Sequence, residues 1–460
     1  MKLPNADSLT SKRLTLVLVL SLLQGIALAQ TENSSAPLQS APNLHIFTVS
    51  SLGRCSEPSI AVNPNNPEEV TGVYQTWASA AYSGDAGKSW SDPVSIMLKS
   101  YRVTGDVSVT YDNKGHAVMC CIAFDKLGTP DYWGHRATRN GIFVKRSLDG
   151  GRTWESADIP VDSQATKPGI PFEDKPYIVA DNTNGKYAGS LYVGWTEWRL
   201  TESVILFSRS TDGGLTWSSP IDISDVHGLP RDDNGSVEGF DGTVTPDGVL
   251  HVVWTNGNHI VCKSSSDGGI TFGKDREVIR TAPSFFKPAY VYRANGFPQI
   301  ASDAKGGLYI TWADYRNGDI DVFESRSEDG GTTWSPAVRV NDDPLHDGAD
   351  QFMQWLAVDQ KTGAVNVIFY DRRADSLNDK ASVVLARSTD RGRSFSNYLM
   401  SDSSFSPADV FIGDYSGLAA YGGRVYGIWT EQVTSVKDKK TERNHATIVK
   451  VGVADFNEIK

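Results

Sequence analysis

The sequence predicts an all-β protein, a single β-propeller of four-stranded blades. An eight-residue box, Ser-x-Asp-x-Gly-x-Ser/Thr followed by Trp or Phe, occurs six times at intervals of roughly 60 residues, and a fixed period indicates a fold made from stacked copies of one unit. Between boxes, apolar and polar residues alternate, as at positions 308–313 and 321–326. This period of two is typical of short antiparallel strands.

The residues of the box suit a tight turn between two strands. Its Asp can accept hydrogen bonds from nearby backbone N–H groups, its Gly supplies a positive φ, and its last residue is an aromatic side chain that can pack on the sheet. We therefore predict a structural role for the six box aspartates, which are Asp85, Asp149, Asp212, Asp267, Asp329 and Asp390.

The same periodicity gives the number of blades. The candidate innermost strands, one for each blade, lie at 58–62, 107–111, 176–180, 242–245, 298–301, 354–358 and 415–419. The seventh unit lacks a box, but residues 43–49 could supply its outer strand and close the ring, which would leave no open sheet edge. Seven blades are favoured, and six are the alternative.

Composition is that of a soluble globular chain, with 39% apolar and 22% charged residues. A length of 460 residues would suggest about three domains, but all-β folds run longer as one unit. The formal net charge of −11 argues against a nucleic-acid or anionic-membrane partner.

The N-terminus has the pattern of a secretory signal peptide. Basic residues precede an apolar run at 14–23, and Ala27-Leu28-Ala29 forms a small-x-small cleavage site. We predict a signal peptide at 1–29, a flexible leader at 30–43 and the propeller at 44–460, hence a secreted protein, extracellular or periplasmic. No later apolar segment approaches the ~20 residues of a membrane span.

Four cysteines follow the predicted cleavage point, namely Cys55, Cys120, Cys121 and Cys262. Export permits disulfides, but the spacing fits neither a disulfide scaffold nor a zinc site. Buried free thiols are favoured, and one pair involving Cys55 is the alternative.

Repeated boxes of this form resemble the Asp-box, or bacterial neuraminidase repeat, of the sialidase superfamily over residues 55–455. The resemblance implies a sialidase-like glycoside hydrolase acting on anionic glycans, with a Tyr nucleophile, a carboxylate partner, an Asp acid/base and three arginines that grip the substrate carboxylate. Tyr415, in the context Asp414-Tyr-Ser-Gly-Leu, is similar to the family nucleophile. Arg54 lies two residues before the position of the first family arginine, where this chain has Ser56.

Propeller topology places further polar residues on one face. Loops joining the second strand to the third, and each blade to the next, share the face opposite the boxes. Asp125 and Asp314 are its candidate catalytic acids, and the candidate substrate-binding arginines there are Arg136, Arg293, Arg316 and Arg372. Arginine can bind a carboxylate or sulfate through two parallel hydrogen bonds; a solvated rim of salt bridges is the alternative.

A ring of carboxylates is predicted near the propeller axis. Glu57, Asp106, Asp174, Asp241 and Asp414 each directly precede or begin an inner strand. They can cap turns or bind a cation, and oxygen ligands favour Ca²⁺ or Mg²⁺. Turn capping is favoured, so no cofactor is required and calcium is the possible one.

Two other functions remain open besides glycoside hydrolysis. A polysaccharide lyase would need a His or Tyr base and an Arg neutraliser next to a uronate, for which His135 with Arg136 or Arg139, and a Tyr, are the candidates. A non-catalytic glycan- or protein-binding propeller is the third possibility. In each case we expect a monomer whose partner is a glycan, a polysaccharide or a protein.

Overall fold

A computed structural model describes residues 38–128, 136–165, 170–282, 285–434 and 445–457. The described residues form seven four-stranded antiparallel sheets and contain no helix. Innermost strands of consecutive blades contact one another, and the last contacts the first. The predicted seven-bladed β-propeller is therefore confirmed.

The first four blades run from the innermost to the outermost strand in chain order. Blade 1 contains β2 (Ser56–Val62), β3 (Val70–Gln75), β4 (Ser79–Ser83) and β5 (Val94–Ser95); blade 2 contains β6 (Val103–Tyr111), β7 (Ala117–Phe124), β8 (Arg139–Ser147) and β9 (Ile159–Ala165). Blade 3 contains β10 (Phe172–Ala180), β11 (Leu191–Trp198), β12 (Ser203–Ser210) and β13 (Ile221–Asp222); blade 4 contains β14 (Val237–Val244), β15 (Leu250–Asn256), β16 (His259–Ser265) and β17 (Arg276–Arg280).

A small hairpin of β18 (Phe285–Phe286) and β19 (Ala294–Asn295) precedes the fifth blade. Blade 5 contains β20 (Gln299–Ser302), β21 (Leu308–Asp314), β22 (Asp321–Ser327) and β23 (Val338–Arg339); blade 6 contains β24 (Gln351–Val358), β25 (Val365–Asp371), β26 (Ser382–Ser388) and β27 (Ser396–Leu399). Blade 7 contains β28 (Gly417–Tyr421), β29 (Arg424–Thr434) and β30 (His445–Asp455).

The N-terminal strand closes the ring. β1 (His45–Thr48) pairs antiparallel with β30 and becomes the outer strand of blade 7. Residues 39–41 already contact the propeller, because the Ala41 N–H donates to the carbonyl of Leu399 over 2.9 Å. Contacts with the ring therefore begin before the predicted boundary at residue 44. The predicted signal peptide lies outside the described residues.

Aromatic side chains fill the space between blades. Trp195, Trp254, Trp312 and Trp429 occupy the second strands of blades 3, 4, 5 and 7 and are fully buried. Large rings in this repeated position bury much apolar surface at each blade interface. The four cysteines are buried and free, as favoured from the sequence.

All six boxes form the same hydrogen-bonded turn, called here the box turns (83–90, 147–154, 210–217, 265–272, 327–334 and 388–395). In the third, Asp212 Oδ1 accepts the Ser210 hydroxyl over 2.8 Å and the Thr216 N–H over 3.0 Å. Gly214, with φ of 84°, donates its N–H to Ser210 Oγ. The turns join the third and fourth strands, so they lie opposite the starts of the inner strands.

Candidate functional site

Five inner strands contain a β-bulge near their first residues. The pairing register shifts at the same point of β2, β6, β10, β14 and β24. Each bulge holds a residue with positive φ, namely Glu57 (51°), Asp106 (47°), Lys175 (48°), Gly239 (79°) and Met353 (52°). Four of these are not glycine, and such backbone conformations are held by surrounding structure and concentrate at functional sites.

Gly239 shows why one blade uses glycine at this position. A Cβ there would lie 2.6 Å from the ring of Phe297, closer than van der Waals contact allows. The missing side chain lets Phe297 approach the axis and line a cavity.

Lys175, Gly239 and Met353 of these bulges line a cavity that opens to solvent. Its polar walls include Lys175, Asn295, Gln299, Gln354 and Asp414. Its apolar walls include Tyr177, Phe240, Phe297, Trp355 and Tyr415. Apolar walls with a few polar groups are typical of ligand sites.

Three rings from different blades meet across the axis. The centroids of Tyr177 and Trp355 lie 5.4 Å apart, and those of Trp355 and Tyr415 lie 5.8 Å apart. This row of rings gives the cavity a rigid aromatic wall.

Tyr415, the predicted nucleophile, lies in this wall with 9% of its surface exposed. Its hydroxyl donates to the carbonyl of Val107 over 3.3 Å. The ammonium of Lys175 lies 4.5 Å from the ring centroid. Burial, and after it the charge of Glu57, raises the pKa of Tyr415 well above its usual value, so the phenol stays neutral.

An ion pair anchors the residue preceding Tyr415. Arg293 donates from Nε and Nη2 to the two carboxylate oxygens of Asp414 over 2.8 and 2.5 Å. The same guanidinium also donates to Asp232. Its side chain remains 41% exposed, so Arg293 lies at the mouth of the site and joins three segments of the chain.

Six residues near the axis, Glu57, Asp106, Asp174, Lys175, Arg293 and Asp414, interact electrostatically and are called the axial cluster. Burial, and secondarily the charge of Asp414, raises the pKa of Glu57 to about 8. Asp106 and Asp174 share a hydrogen bond, and burial raises the pKa of each to about 7. Protonated and ionised carboxyl groups therefore coexist here at neutral pH.

Asp241 plays a different part from the rest of the predicted ring. Its carboxylate accepts the Gly242 N–H over 2.7 Å and the Ile300 N–H of the next blade over 2.8 Å. Ser59 and Ser108 accept backbone N–H groups of the following blade in the same way. Asp241 therefore links the inner strands of two neighbouring blades, which differs from the turn capping favoured from the sequence.

The predicted cation ring gains no support from the spacing of its carboxylates. Lys175 and Arg293 lie among them. Within the described residues, the only three acidic groups whose oxygens converge to 4.8 Å are Asp162, Glu173 and Glu197. Glu173 accepts hydrogen bonds from Gln164 and Trp195, so protein donors already engage it. Calcium remains a prediction.

The two other candidate acids are engaged in local hydrogen bonds. Asp125 accepts the N–H and hydroxyl of Thr138 over 2.8 and 2.5 Å, which closes its own loop. Asp314 is fully buried, accepts the Trp312 indole N–H over 2.9 Å and holds Arg316 through Nε and Nη2. Neither lines the cavity.

The predicted arginines are not brought together. Arg372 is fully buried and donates to the carbonyls of Ala289 and Asn378, each over 2.7 Å. Arg54 and Arg136 are exposed. Among the five, Arg293 is the one hydrogen-bonded to Asp414.

Sequence reasoning missed several residues of the site. These residues are Lys175, Gln299 and Gln354. One signal was present: Lys175 directly precedes a predicted inner strand, Gln354 begins one, as Tyr415 does, and Gln299 is the second residue of another. His135, the candidate lyase base, lies outside the described residues.

No family model and no curated protein matches the chain. Solved structures do resemble it: an endosialidase of phage phi92 has a TM-score of 0.52 at 11% identity over 90% of this chain and 69% of that one. A polysaccharide lyase described as an ulvan lyase has a TM-score of 0.48 at 12% identity, covering 88% and 95%. A Hadza microbial sialidase has 0.46 at 16% identity, covering 84% and 73%. These likenesses concern the fold.

Proposed function

We propose that the protein is a secreted carbohydrate-active propeller, a sialidase-like glycoside hydrolase that works in the axial cavity. The observation that carries this proposal is that Tyr415 and Asp414 line one cavity, that Arg293 holds Asp414, and that the nearby carboxyl group of Glu57 has a raised pKa. A phenol, an ionised carboxylate and a protonated carboxyl are the groups that hydrolysis through a tyrosine nucleophile requires. The endosialidase with a similar fold is consistent with this proposal.

The reaction would proceed in two steps. The Tyr415 oxygen attacks the anomeric carbon while its proton passes to a carboxylate of the axial cluster. Glu57, with a pKa of about 8, is protonated at neutral pH and can give its proton to the departing glycosidic oxygen. Water then displaces Tyr415 from the sugar and gives one proton to the Glu57 carboxylate, while the carboxyl group that took the phenol proton returns it to Tyr415.

The position of Lys175 favours a substrate that carries a negative charge. It lines the cavity, and its ammonium lies over the rings of Tyr415 and Phe297 at 4.5 and 4.8 Å. A substrate carboxylate or sulfate could therefore approach this ammonium from the cavity. A neutral tyrosine suits such a substrate, because an anionic nucleophile would be repelled by the charge of the sugar.

The first test is activity of the purified mature protein on a glycan panel. The panel contains fluorogenic sialosides and uronate polysaccharides, and wild type is compared with Tyr415→Phe. We expect sialoside hydrolysis in the wild type and its loss by at least about a hundredfold without the phenol, since nucleophile and general acid–base groups contribute on this scale.

Tyr426→Phe is the matched control. Tyr426 is also buried in blade 7 and also donates to a backbone carbonyl over 3.3 Å, but at the opposite face, to Ala86. It should keep full activity. Equal activity of the two variants, or silence of the wild type on every glycan, would contradict the proposed hydrolase; silence with retained glycan binding would indicate a recognition module.

One observation favours a polysaccharide lyase as the second candidate. A lyase needs a base and a cation beside one uronate, and Tyr415 and Lys175 are in direct contact at the cavity. Removal of the C5 proton with loss of the 4-linked oxygen leaves an unsaturated uronate that absorbs in the ultraviolet. Such a product from the uronate polysaccharides would favour this candidate over hydrolysis.

A further inference from the structure

A sector of the face opposite the box turns, in blades 1 and 2, carries exposed basic side chains that the proposed reaction does not use. They are called here the basic rim and are Arg54, Lys99, Arg102, Lys126 and Arg139. All lie in or next to the loops that join one blade to the next or β7 to β8. The chain has a formal net charge of −11, so this excess of cations is local.

The rim includes a strained turn that holds an exposed tryptophan. Trp77 lies between β3 and β4, is 38% exposed, and has a positive φ, as does Ala78, at 59° and 61°. Two such residues in succession favour Asn-Gly, so surrounding structure must hold this pair, as is common at functional sites. The guanidinium carbon of Arg102 lies 5.2 Å from the centre of the Trp77 ring, and this cation–π contact orients the arginine.

A second arginine is held in the same way. The guanidinium carbon of Arg139 lies 5.0 Å from the centre of the Tyr101 ring, and Tyr101 packs on Phe143 with a centroid distance of 4.9 Å. Arg139 Nη2 also donates to the Ser100 carbonyl over 3.1 Å. Because a guanidinium has five N–H groups, donors remain for a ligand after this bond.

Two carboxylates of this sector are held by other groups. Asp125 accepts the N–H and hydroxyl groups of Thr138. Asp158 pairs with the buried Lys145 over 2.9 Å. Neither carboxylate is therefore available to neutralise the basic rim.

An arginine elsewhere on the same face shows what the rim lacks. Arg316 also stacks on a ring, 5.3 Å from the centre of Trp312, but it pairs with Asp314 over 2.5 Å. Within the described part of the chain, neither Arg102 nor Arg139 pairs with a carboxylate. The rim therefore presents oriented cations whose counter-charge the described residues do not supply.

The chemistry of the rim indicates an anionic polysaccharide chain. Guanidinium groups bind carboxylate or sulfate groups through parallel hydrogen bonds, and cations spread over several loops require a ligand with several charges. Double-stranded DNA carries one charge per ~1.7 Å, and the net charge of −11 would repel it. A polysaccharide with widely spaced carboxylates or sulfates matches a few separated cations.

One end of the rim lies beside the axial cluster. Gln75, two residues before Trp77, accepts the Asp106 N–H through Oε1 over 2.9 Å. Thr76, which lies between them, donates its hydroxyl to the Arg54 carbonyl over 3.5 Å. The same short segment therefore contacts both the rim and the axial cluster.

We propose that the basic rim binds a polysaccharide chain carrying several carboxylate or sulfate groups, with Arg102 and Arg139 as its main anion-binding residues. This inference deepens the proposed function by giving its substrate class, a polyanionic chain rather than a single anionic sugar, and it rests on that function for the reaction. Binding along the rim is measured without turnover.

Isothermal titration calorimetry of the purified mature protein at low ionic strength tests the binding. The probes are polygalacturonate for carboxylates, dextran sulfate for sulfates and unmodified dextran as the neutral control. We expect at least one anionic chain to bind, dextran not to bind, and the affinity to fall as salt is added. The anionic chain that binds identifies the recognised group.

Arg139→Gln should weaken that binding by about tenfold, because a charge-assisted hydrogen bond contributes on this scale. Arg231→Gln is the matched control, since it removes the same charge from the same face, but Arg231 pairs with Asp233 over 2.6 Å. Its affinity should stay within about twofold of wild type. If circular dichroism shows that Arg139→Gln does not fold, Arg102→Gln replaces it with the same expectation.

Trp77→Leu separates orientation from charge. The variant keeps every cation but removes the ring under Arg102, so we expect binding to weaken by about threefold. Wild-type affinity in this variant would contradict the role of the cation–π contact.

Two results would overturn the basic rim as a binding surface. One is that neither anionic chain binds at low ionic strength; the other is an equal loss of affinity in Arg139→Gln and Arg231→Gln. A short DNA duplex and phosphatidylserine vesicles are titrated in parallel. Tighter binding of either one than of both polysaccharides would contradict the polysaccharide and assign the rim to that partner.

Failure of the rim and failure of the hydrolase give different results. Hydrolysis of fluorogenic sialosides without chain binding would contradict the rim alone. Chain binding that Arg139→Gln weakens, without hydrolysis of any glycan, would contradict the hydrolase and leave the rim supported.

Discussion

The box turns and the axial cluster lie at opposite ends of the blades. Both contain several carboxyl groups, but the surroundings of these groups differ. Asp329 in a box turn is exposed and accepts four hydrogen bonds within its own turn, from Ser327, Thr332 and Thr333. These bonds lower its pKa to about 2. Glu57 in the axial cluster is 3% exposed and one of its oxygens has no partner.

This difference separates structural carboxylates from reactive ones. A carboxylate that its own turn satisfies has little left to offer a ligand. A buried carboxyl whose charge is costly exchanges protons near neutral pH and interacts with whatever enters the cavity. The local sequence alone sets the first kind, whereas the second depends on residues from several blades.

The largest expected effect comes from removing Arg293, one of the two cations of the axial cluster. Arg293→Met leaves Asp414 and Asp232 without their shared guanidinium. Breaking a buried pair costs about 3–5 kcal/mol, and because the Arg293 side chain is 41% exposed, we expect a loss of about 2 kcal/mol in the free energy of unfolding. Urea denaturation measures it.

The control for this variant is an exposed ion pair of the neighbouring loop. Arg231 Nε pairs with Asp233 over 2.6 Å, with the two side chains 64% and 41% exposed. Arg231→Met should cost less than about 0.5 kcal/mol. Adding Asp414→Asn to Arg293→Met should recover part of the loss; no recovery would mean that Arg293 acts through packing.

A box turn should give a smaller effect on stability and none on the site. Asp212→Ala removes four hydrogen bonds of an exposed turn, including the Thr216 hydroxyl bond of 2.5 Å. We expect a loss of about 1–2 kcal/mol in the free energy of unfolding, because solvent replaces part of these bonds. Sialoside hydrolysis should be unchanged; a change would mean that the two faces are coupled.

The two regions should respond to pH in opposite directions. The pKa of Asp329 is about 2, below its usual 3.8, so its contribution to stability is complete above pH 4 and is lost as pH falls through 2. The pKa of Glu57 is about 8, above its usual 4.5. Its contribution is complete below about pH 4 and is lost as pH rises through 8.

Urea denaturation between pH 2 and 9 checks both limbs. Glu57→Gln should flatten the decline on the alkaline side, to which Asp106 also contributes with a pKa of about 7. Asp329→Asn should reduce the decline on the acid side alone. If Glu57→Gln changed the loss of stability at acid pH, the contrast between the axial cluster and the box turns would be contradicted.

The same contrast explains what could be predicted from the sequence. Each box turn is made within eight consecutive residues, so the repeat predicts the turns and, through their spacing, the blades. β1 was also predictable, because the incomplete seventh unit lacked one strand and residues 43–49 matched its pattern. Tyr415 and Asp414 are adjacent in the chain, so their proximity was certain.

The partners of Asp414 could not be predicted in this way. Arg293 is separated from it by 121 residues, and several other arginines had an equally plausible sequence context. Arg372, one of them, holds the carbonyls of Ala289 and Asn378 instead. The positive φ of Lys175 and Met353 is imposed by the bulges, since neither residue favours that conformation.

The smallest expected effect distinguishes a reactive tyrosine from a packed one. Tyr415→Phe and Tyr426→Phe each remove one hydrogen bond of 3.3 Å to a backbone carbonyl, at the axial face and at the box face. Each should lower the free energy of unfolding by about 1 kcal/mol, because the bond is long but its removal leaves the carbonyl without this partner. Thermal denaturation of the two variants measures the difference.

If Tyr415→Phe stabilises the protein while Tyr426→Phe does not, the axial phenol is held at a cost to stability, which is the expected signature of a site built for a ligand. A loss well above that of Tyr426→Phe would instead make Tyr415 a structural member of the aromatic wall.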